Sequence, residues 1–122
     1  MKFVSIVIGS KSDYEVMKEC AVTLEKFGVA YELIISSAHR SPERTKTYIA
    51  QAEEKGAQVF IAAAGMAAHL AGALAGTTTK PVIGVPMASG ELRGEDALLS
   101  TVMMPAGMPV ATVAIGQAGA IN

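Results

Sequence analysis

Five short apolar runs, separated by turns and by stretches with helical spacing, constrain this chain more than any other feature. The run Phe3-Val4-Ser5-Ile6-Val7-Ile8 is apolar at both parities except at Ser5, the mark of a strand covered on both faces, and Gly9 ends it. From Val16 onward Met17, Cys20, Ala21, Leu24 and Phe27 recur at helical spacing until Gly28 stops the element. Tyr31 to Ile35 predicts a second strand. Ser41 then stands as the cap of a helix opened by Pro42, which carries Tyr48, Ile49 and Ala52 inward and ends near Lys55-Gly56.

Residues 59–62 supply a third strand and 67–75 an alanine-rich helix. Residues 81–86 form a short fourth strand closed by proline at each end, 95–104 a further helix, and Pro109 leads into a fifth strand over 110–115. Buried strands alternating with helices predict a three-layer α/β/α sandwich around a central parallel five-stranded sheet, flavodoxin-like or Rossmann-like, with right-handed crossovers. At 122 residues the expectation is one domain over 1–122. The final segment, 116–122, has too few residues for the helix that should cover one sheet face; either it docks on a neighbouring subunit or the chain is shorter than its natural parent.

Composition narrows the partners. Apolar residues make up 51% and charged residues 17%, with a mean hydropathy of +0.38, which is greasy for a monomer and predicts a homo-oligomer. A net charge of -1 with no basic run gives no field for a nucleic-acid backbone, so nucleic acid is not expected as a partner. The lone cysteine, Cys20, excludes an intrachain disulfide and sits in an apolar stripe that predicts burial. No apolar run has signal-peptide or membrane-spanning length, so a cytoplasmic location away from membranes is expected.

Chemistry concentrates at three strand ends, the edge where parallel α/β folds keep their crevice. Gly9-Ser10-Lys11-Ser12-Asp13 joins two hydroxyls to free backbone N–H groups, which can hold a phosphate. The same residues also read as plain capping, because Ser12 and Glu15 have capping-box spacing. Asp13 suits sugar hydroxyls better than phosphate. In Ser37-Ala38-His39-Arg40-Ser41-Pro42, His39 can exchange a proton near neutral pH and Arg40 can neutralise a phosphate or carboxylate, against the plainer reading of solvated loop residues. Gly65-Met66-Ala67-Ala68-His69-Leu70 offers a backbone-lined anion site or, more simply, close helix packing. Parallel strands bring His39 and His69 toward one crevice, but two histidines without a third ligand argue against a metal. Met103, Met104 and Met108 read as a flexible apolar flap or contact surface, and no flavin-stacking aromatic pair stands out.

Taken together in order, residues 9–13, 37–42, 65–70 with Gly72, 81–86, and Met104-Pro105 through Pro109-Val110 to Ile115-Gly116 resemble the bacterial N5-carboxyaminoimidazole ribonucleotide mutases, the catalytic subunit of phosphoribosylaminoimidazole carboxylase. The resemblance implies conversion of N5-carboxyaminoimidazole ribonucleotide to 4-carboxy-5-aminoimidazole ribonucleotide in purine biosynthesis, by release and recapture of CO2 without metal or organic cofactor. It implies that His39 is the essential acid-base residue and that Ser10, Ser12 and Asp13 line the ribose-phosphate site. It likewise implies that Ser37 and Arg40 hold phosphate, that Gly65, Ala68, His69 and Leu70 surround the imidazole and carboxyl groups, and that the chain forms an octamer.

The chain departs from the family pattern, which has glycines at positions 63 and 66, proline at 71 and usually glutamine at 103; here stand Ala63, Met66, Ala71 and Met103. The family also has C-terminal helices beyond this chain's last residue. Two other functions stay open: a carboxylase using free CO2 and aminoimidazole ribonucleotide, and a catalytically silent nucleotide-binding or assembly protein.

Overall fold

A computed structural model describes residues 1–122. Five strands, β1 (Phe3–Ile8), β2 (Tyr31–Ile35), β3 (Ala57–Gly65), β4 (Val82–Met87) and β5 (Ala111–Thr112), form one sheet in the order β2-β1-β3-β4-β5. Every pairing is parallel. The helices are α1 (Tyr14–Lys26), α2 (Pro42–Lys55), α3 (Leu70–Ala75), α4 (Glu95–Val102) and α5 (Gln117–Ile121). This is the expected three-layer α/β/α sandwich with flavodoxin-like strand order, whose direction of winding reverses between β1 and β3.

The two sheet faces bury different helices. Ile49 and Ala52 of α2 and Leu70, Ala71 and Leu74 of α3 pack with Val7, Phe60, Ala62 and Val82. On the other face Met17, Cys20 and Ala21 of α1 and Ala120 of α5 meet Ile6, Ile8, Ala63, Val85 and Met87. The spacing of Met17, Cys20, Ala21 and Leu24 thus becomes the inward stripe of α1, with Cys20 buried as expected. α4 lies on the α3 side because Gly84 of β4 leaves room for it: a Cβ there would collide with Thr101 and approach Ala71.

Several boundaries differ from the expectation for physical reasons. α1 starts at Tyr14 rather than Val16, after a 3-10 turn over Lys11–Asp13. Ser10 caps that turn, accepting from Ser12 N–H at 3.3 Å, and the expected Ser12–Glu15 capping box is absent, Glu15 pairing instead with Lys18. Ser41 occupies the cap position of α2, yet its side chain makes no cap bond; Thr45 Oγ1 donates to the Ser41 carbonyl at 3.0 Å. β4 runs through Pro86 to Met87.

α3 begins only at Leu70, because the Ala67 carbonyl accepts from His69 N–H and the Ala68 carbonyl faces Thr101 Oγ1 instead of entering a helical ladder. α4 ends at Val102, where Met103 leaves helical geometry. β5 is paired only at Ala111–Thr112, although Val113 N–H and Gly116 N–H still donate to the Gly84 and Pro86 carbonyls. Residues 117–121, expected to be too few for a helix, form α5 and place Ala120 in the core beside α1. Of the expected methionine flap only Met103 is free; Met104 and Met108 seat on Gly72 and Gly76. No helix is long and apolar enough to cross a membrane.

Candidate active site

The carboxyl ends of β1 to β4 open onto a crevice of about 390 Å³ at the point where the strand order reverses. Four loops wall it. Gly9, Ser10, Ser12 and Asp13 follow β1; Ser37, Ala38, His39 and Arg40 follow β2; Ala64 and Gly65 end β3 and Met66, Ala67, His69 and Leu70 follow it; Ser89 follows β4.

His39 and His69 meet across the opening. His39 Nε2 lies 3.0 Å from His69 Nδ1, with the rings edge-to-face at 85° and their centroids 5.1 Å apart. Both rings are exposed to solvent, so either can reach a bound molecule. No cluster of three or more His, Cys, Asp or Glu side chains accompanies them, and two imidazoles in hydrogen-bond contact can pass a proton.

The loop that presents His39 is tied down by hydroxyls. Thr45 Oγ1, on the first turn of α2, shares its one proton between the Ser41 carbonyl at 3.0 Å and the Ser37 carbonyl at 3.2 Å, and lies 2.6 Å from the buried Ser36 Oγ. Ser37 Oγ accepts from Arg40 N–H at 3.1 Å, closing the turn and leaving the guanidinium in solvent at the crevice rim.

Asp13 contributes a carboxylate at the crevice floor, with its residue only 7% exposed. Burial raises its pKa above the ordinary value, and a backbone N–H of Ser10 offsets part of that rise. Such a carboxylate gains most from hydroxyl donors brought by a ligand. Ser10 Oγ and Ser12 Oγ, 3.0 Å apart, stand exposed beside it.

On the opposite wall, Gly65 allows the β4 loop to close in: a Cβ at Gly65 would collide with Ser89 Oγ. Met66 sits at φ +56, a left-handed conformation that suits glycine. Its side chain is 56% exposed and rides over Gly90, where an added Cβ would come within 3.3 Å of Met66 Cγ.

The AIR carboxylase family model matches residues 3–122, nearly the whole chain. The N5-carboxyaminoimidazole ribonucleotide mutase of Pyrococcus horikoshii is 59% identical over 115 residues, covering 94% of this chain and 65% of that protein. The mutase of Pseudomonas aeruginosa is 51% identical over 119 residues, covering 98% of this chain and 73% of the relative. The crystal structure of Treponema denticola PurE superposes with a TM-score of 0.87 at 29% identity, over 98% of this chain and 76% of that one. The chain belongs to the AIR carboxylase family.

The AIR carboxylase resemblance read in the sequence named ten site residues, and nine of them line the crevice. The exception is Ala68. It is 2% exposed, and its N–H is directed to Ser100 on α4, away from the opening. Lys11, in the middle of the β1 loop, also lies outside the wall. Three hydroxyl residues escaped the sequence reading: Ser89 in the wall, and Thr45 and Ser100 behind it. Thr45 carried a usable signal, since it stands four positions after Ser41 on the first turn of α2, where a hydroxyl reaches back to that carbonyl. Nothing in the sequence distinguishes Ser89 or Ser100 from surface serines.

Proposed function

We propose that this AIR carboxylase family chain is a single ribonucleotide-binding catalytic domain that isomerises N5-carboxyaminoimidazole ribonucleotide to 4-carboxy-5-aminoimidazole ribonucleotide. The mutases of Pyrococcus horikoshii and Pseudomonas aeruginosa, similar over nearly all of this chain, support the reaction class. The observation that carries the reading is His39 at the mouth of a crevice, beside the Arg40 guanidinium on its own loop and facing walls that supply hydroxyls and a buried carboxylate.

In this reading Asp13 accepts from ribose hydroxyls, while Ser10, Ser12, Ser37 and Arg40 hold the phosphate. Gly65, His69 and Leu70 surround the ring and its carboxyl group. His39 donates a proton to N5 as the N5–CO2 bond breaks, releasing CO2. The electron-rich C4 of the aminoimidazole attacks that CO2, and the C4 proton returns to His39, so the enzyme ends as it began. The phosphate grip keeps the ring still while the carboxyl group moves, drawing on binding energy away from the reacting atoms. Ala67 and Leu70 give the cavity a low-polarity wall against water, which keeps CO2 beside C4.

We further infer that the chain works as a homo-oligomer, an octamer in the family pattern. Leu92, Leu99, Val102 and Met103 are exposed on and beside α4, an apolar surface of the kind that subunit contacts cover. The native mass in solution at micromolar concentration tests this, and a monomer would reject it.

The deciding experiment supplies freshly made N5-carboxyaminoimidazole ribonucleotide and follows the C4-carboxylated product in the presence of isotopically labelled bicarbonate. Product without label from the medium supports the mutase. Product made only from aminoimidazole ribonucleotide and labelled bicarbonate would make the chain a CO2-dependent carboxylase, and ribonucleotide binding without any product would make it a silent binding protein.

A further inference from the structure

Ser100 lies on α4, behind the crevice wall, yet it is bonded to the loop that carries His69. Its Oγ accepts from Ala68 N–H at 3.0 Å and donates to the Asp96 carbonyl at 2.8 Å, so the hydroxyl is oriented by its own helix before it takes the loop. The Ala68 carbonyl lies 3.5 Å from Thr101 Oγ1, the neighbouring position on the same helix. α4 reaches this close because Gly84 leaves space for the Thr101 side chain against β4.

The held segment has little support of its own. Met66 is left-handed, His69 N–H is bonded only to the Ala67 carbonyl two residues back, and the first helical bond of α3 runs from Ala73 N–H to the His69 carbonyl. His69 is the next residue after the anchored one, and its Nδ1 meets His39. The contacts therefore run without a gap from Ser100 through the Ala68 peptide and the His69 ring to the His39 ring.

We propose that Ser100 is a positioning residue of the reaction, fixing the Ala68 peptide so that His69 stays in register with His39. This rests on the mutase reading above. Ser100 is hydrogen-bonded to neither the β1 loop nor the β2 loop, where the ribose and phosphate are held in that reading. Its loss falls on the proton-transfer step more than on ribonucleotide binding. Displacement of a catalytic group by a fraction of an ångström to about 1 Å costs on the order of tenfold or more in rate.

The test compares the wild-type protein with Ser100→Ala and Ser100→Thr by steady-state kinetics, and by amide hydrogen exchange of the segment 66–70 in the unliganded proteins. Ser100→Ala is expected to lower kcat on the order of tenfold with KM within about twofold of wild type. Exchange at 66–70 should be faster while the rest of the chain is unchanged, and Ser100→Thr, which keeps the hydroxyl, should restore both. Unchanged kcat and exchange in Ser100→Ala would overturn the proposal, as would a Ser100→Thr protein no better than Ser100→Ala. Wild-type protein without turnover would defeat the mutase reading alone. Exchange would then decide Ser100 by itself, unchanged protection at 66–70 in Ser100→Ala rejecting it and faster exchange supporting it.

Discussion

His39 Nε2 and His69 Nδ1 share a hydrogen bond of 3.0 Å across 30 positions of sequence. One nitrogen donates and the other accepts, so the accepting nitrogen carries no proton while the contact lasts. Protonating both rings fully would break it.

Replacing His39 by asparagine keeps a side chain that hydrogen-bonds and removes the one that titrates. Turnover is expected to fall by roughly 10² to 10⁴, the usual contribution of a positioned acid-base group. Binding of aminoimidazole ribonucleotide, measured by calorimetry, should persist, since the hydroxyls, Asp13 and Arg40 remain. Comparable turnover in the variant would remove His39 from the mechanism.

Asp13 sets folding against binding. Its raised pKa means that the folded chain holds a proton there more tightly than the unfolded chain does. The associated stability is present below the unfolded pKa, near 3.8, and is lost as pH rises through the higher folded value. At neutral pH the buried charge is a liability that bound hydroxyls relieve. Asp13→Asn is therefore expected to raise the melting temperature of the unliganded protein at pH 7 and to weaken ribonucleotide binding. Scanning calorimetry and titration of the same samples check both, and a variant that melts lower and binds equally well would contradict the account.

Met66 holds a left-handed φ of +56 at a position where the family pattern carries glycine. Left-handed backbone costs a residue with a Cβ about 1 kcal/mol, and the exposed side chain recovers little of it against Gly90. Met66→Gly should stabilise the fold by up to about 1 kcal/mol, whereas Met66→Val, with a branch at Cβ, should destabilise it. Urea midpoints for the two variants decide this, the glycine variant being the one expected to move upward.

Much of this architecture was legible because short apolar runs bounded by turn residues leave a plain signature: 3–8, largely buried beneath both helical layers, and 31–35, the half-buried edge strand, are read to the residue. The crevice was legible for a related reason, since parallel strands deliver whatever follows them to one edge. What the sequence did not reveal depends on contacts made across the fold. The late start of α3 goes with the Ala68 carbonyl facing Thr101 on α4, thirty-three positions away, and no local propensity encodes that contact. The seven residues from 116 to 122 looked too short for a helix by propensity, but burial of Ala120 against Met17 and Cys20 stabilises what an isolated segment could not. Ser10 rather than Ser12 became the cap because a 3-10 turn precedes α1, shifting the hydrogen-bond pattern by two residues.

A last prediction concerns Tyr48, whose hydroxyl links the sheet to α2. It lies 2.8 Å from Ser5 Oγ, on a residue with no solvent exposure, and donates to Glu32 Oε1 at 2.8 Å; Lys55 reaches the other carboxylate oxygen at 3.0 Å. Tyr48→Phe removes both bonds and leaves the Ser5 hydroxyl buried without a partner, which costs about 1 to 3 kcal/mol. The pH dependence should change at both ends. Donation from Tyr48, followed by that from Lys55, holds Glu32 below its ordinary value of 4.5; the resulting stability is present above that value and is lost as pH falls through the lower folded pKa. Burial, chiefly, pushes Tyr48 from 10.0 to about 12, so its contribution is complete below pH 10 and fades as pH rises toward 12. The phenylalanine variant should therefore melt lower at pH 7, lose less stability on acidification below the carboxylate range, and show a flatter alkaline limb. Thermal melts of both proteins across pH 3 to 11 would read all three, and parallel curves displaced by a constant amount would show that the hydroxyl acts through packing alone.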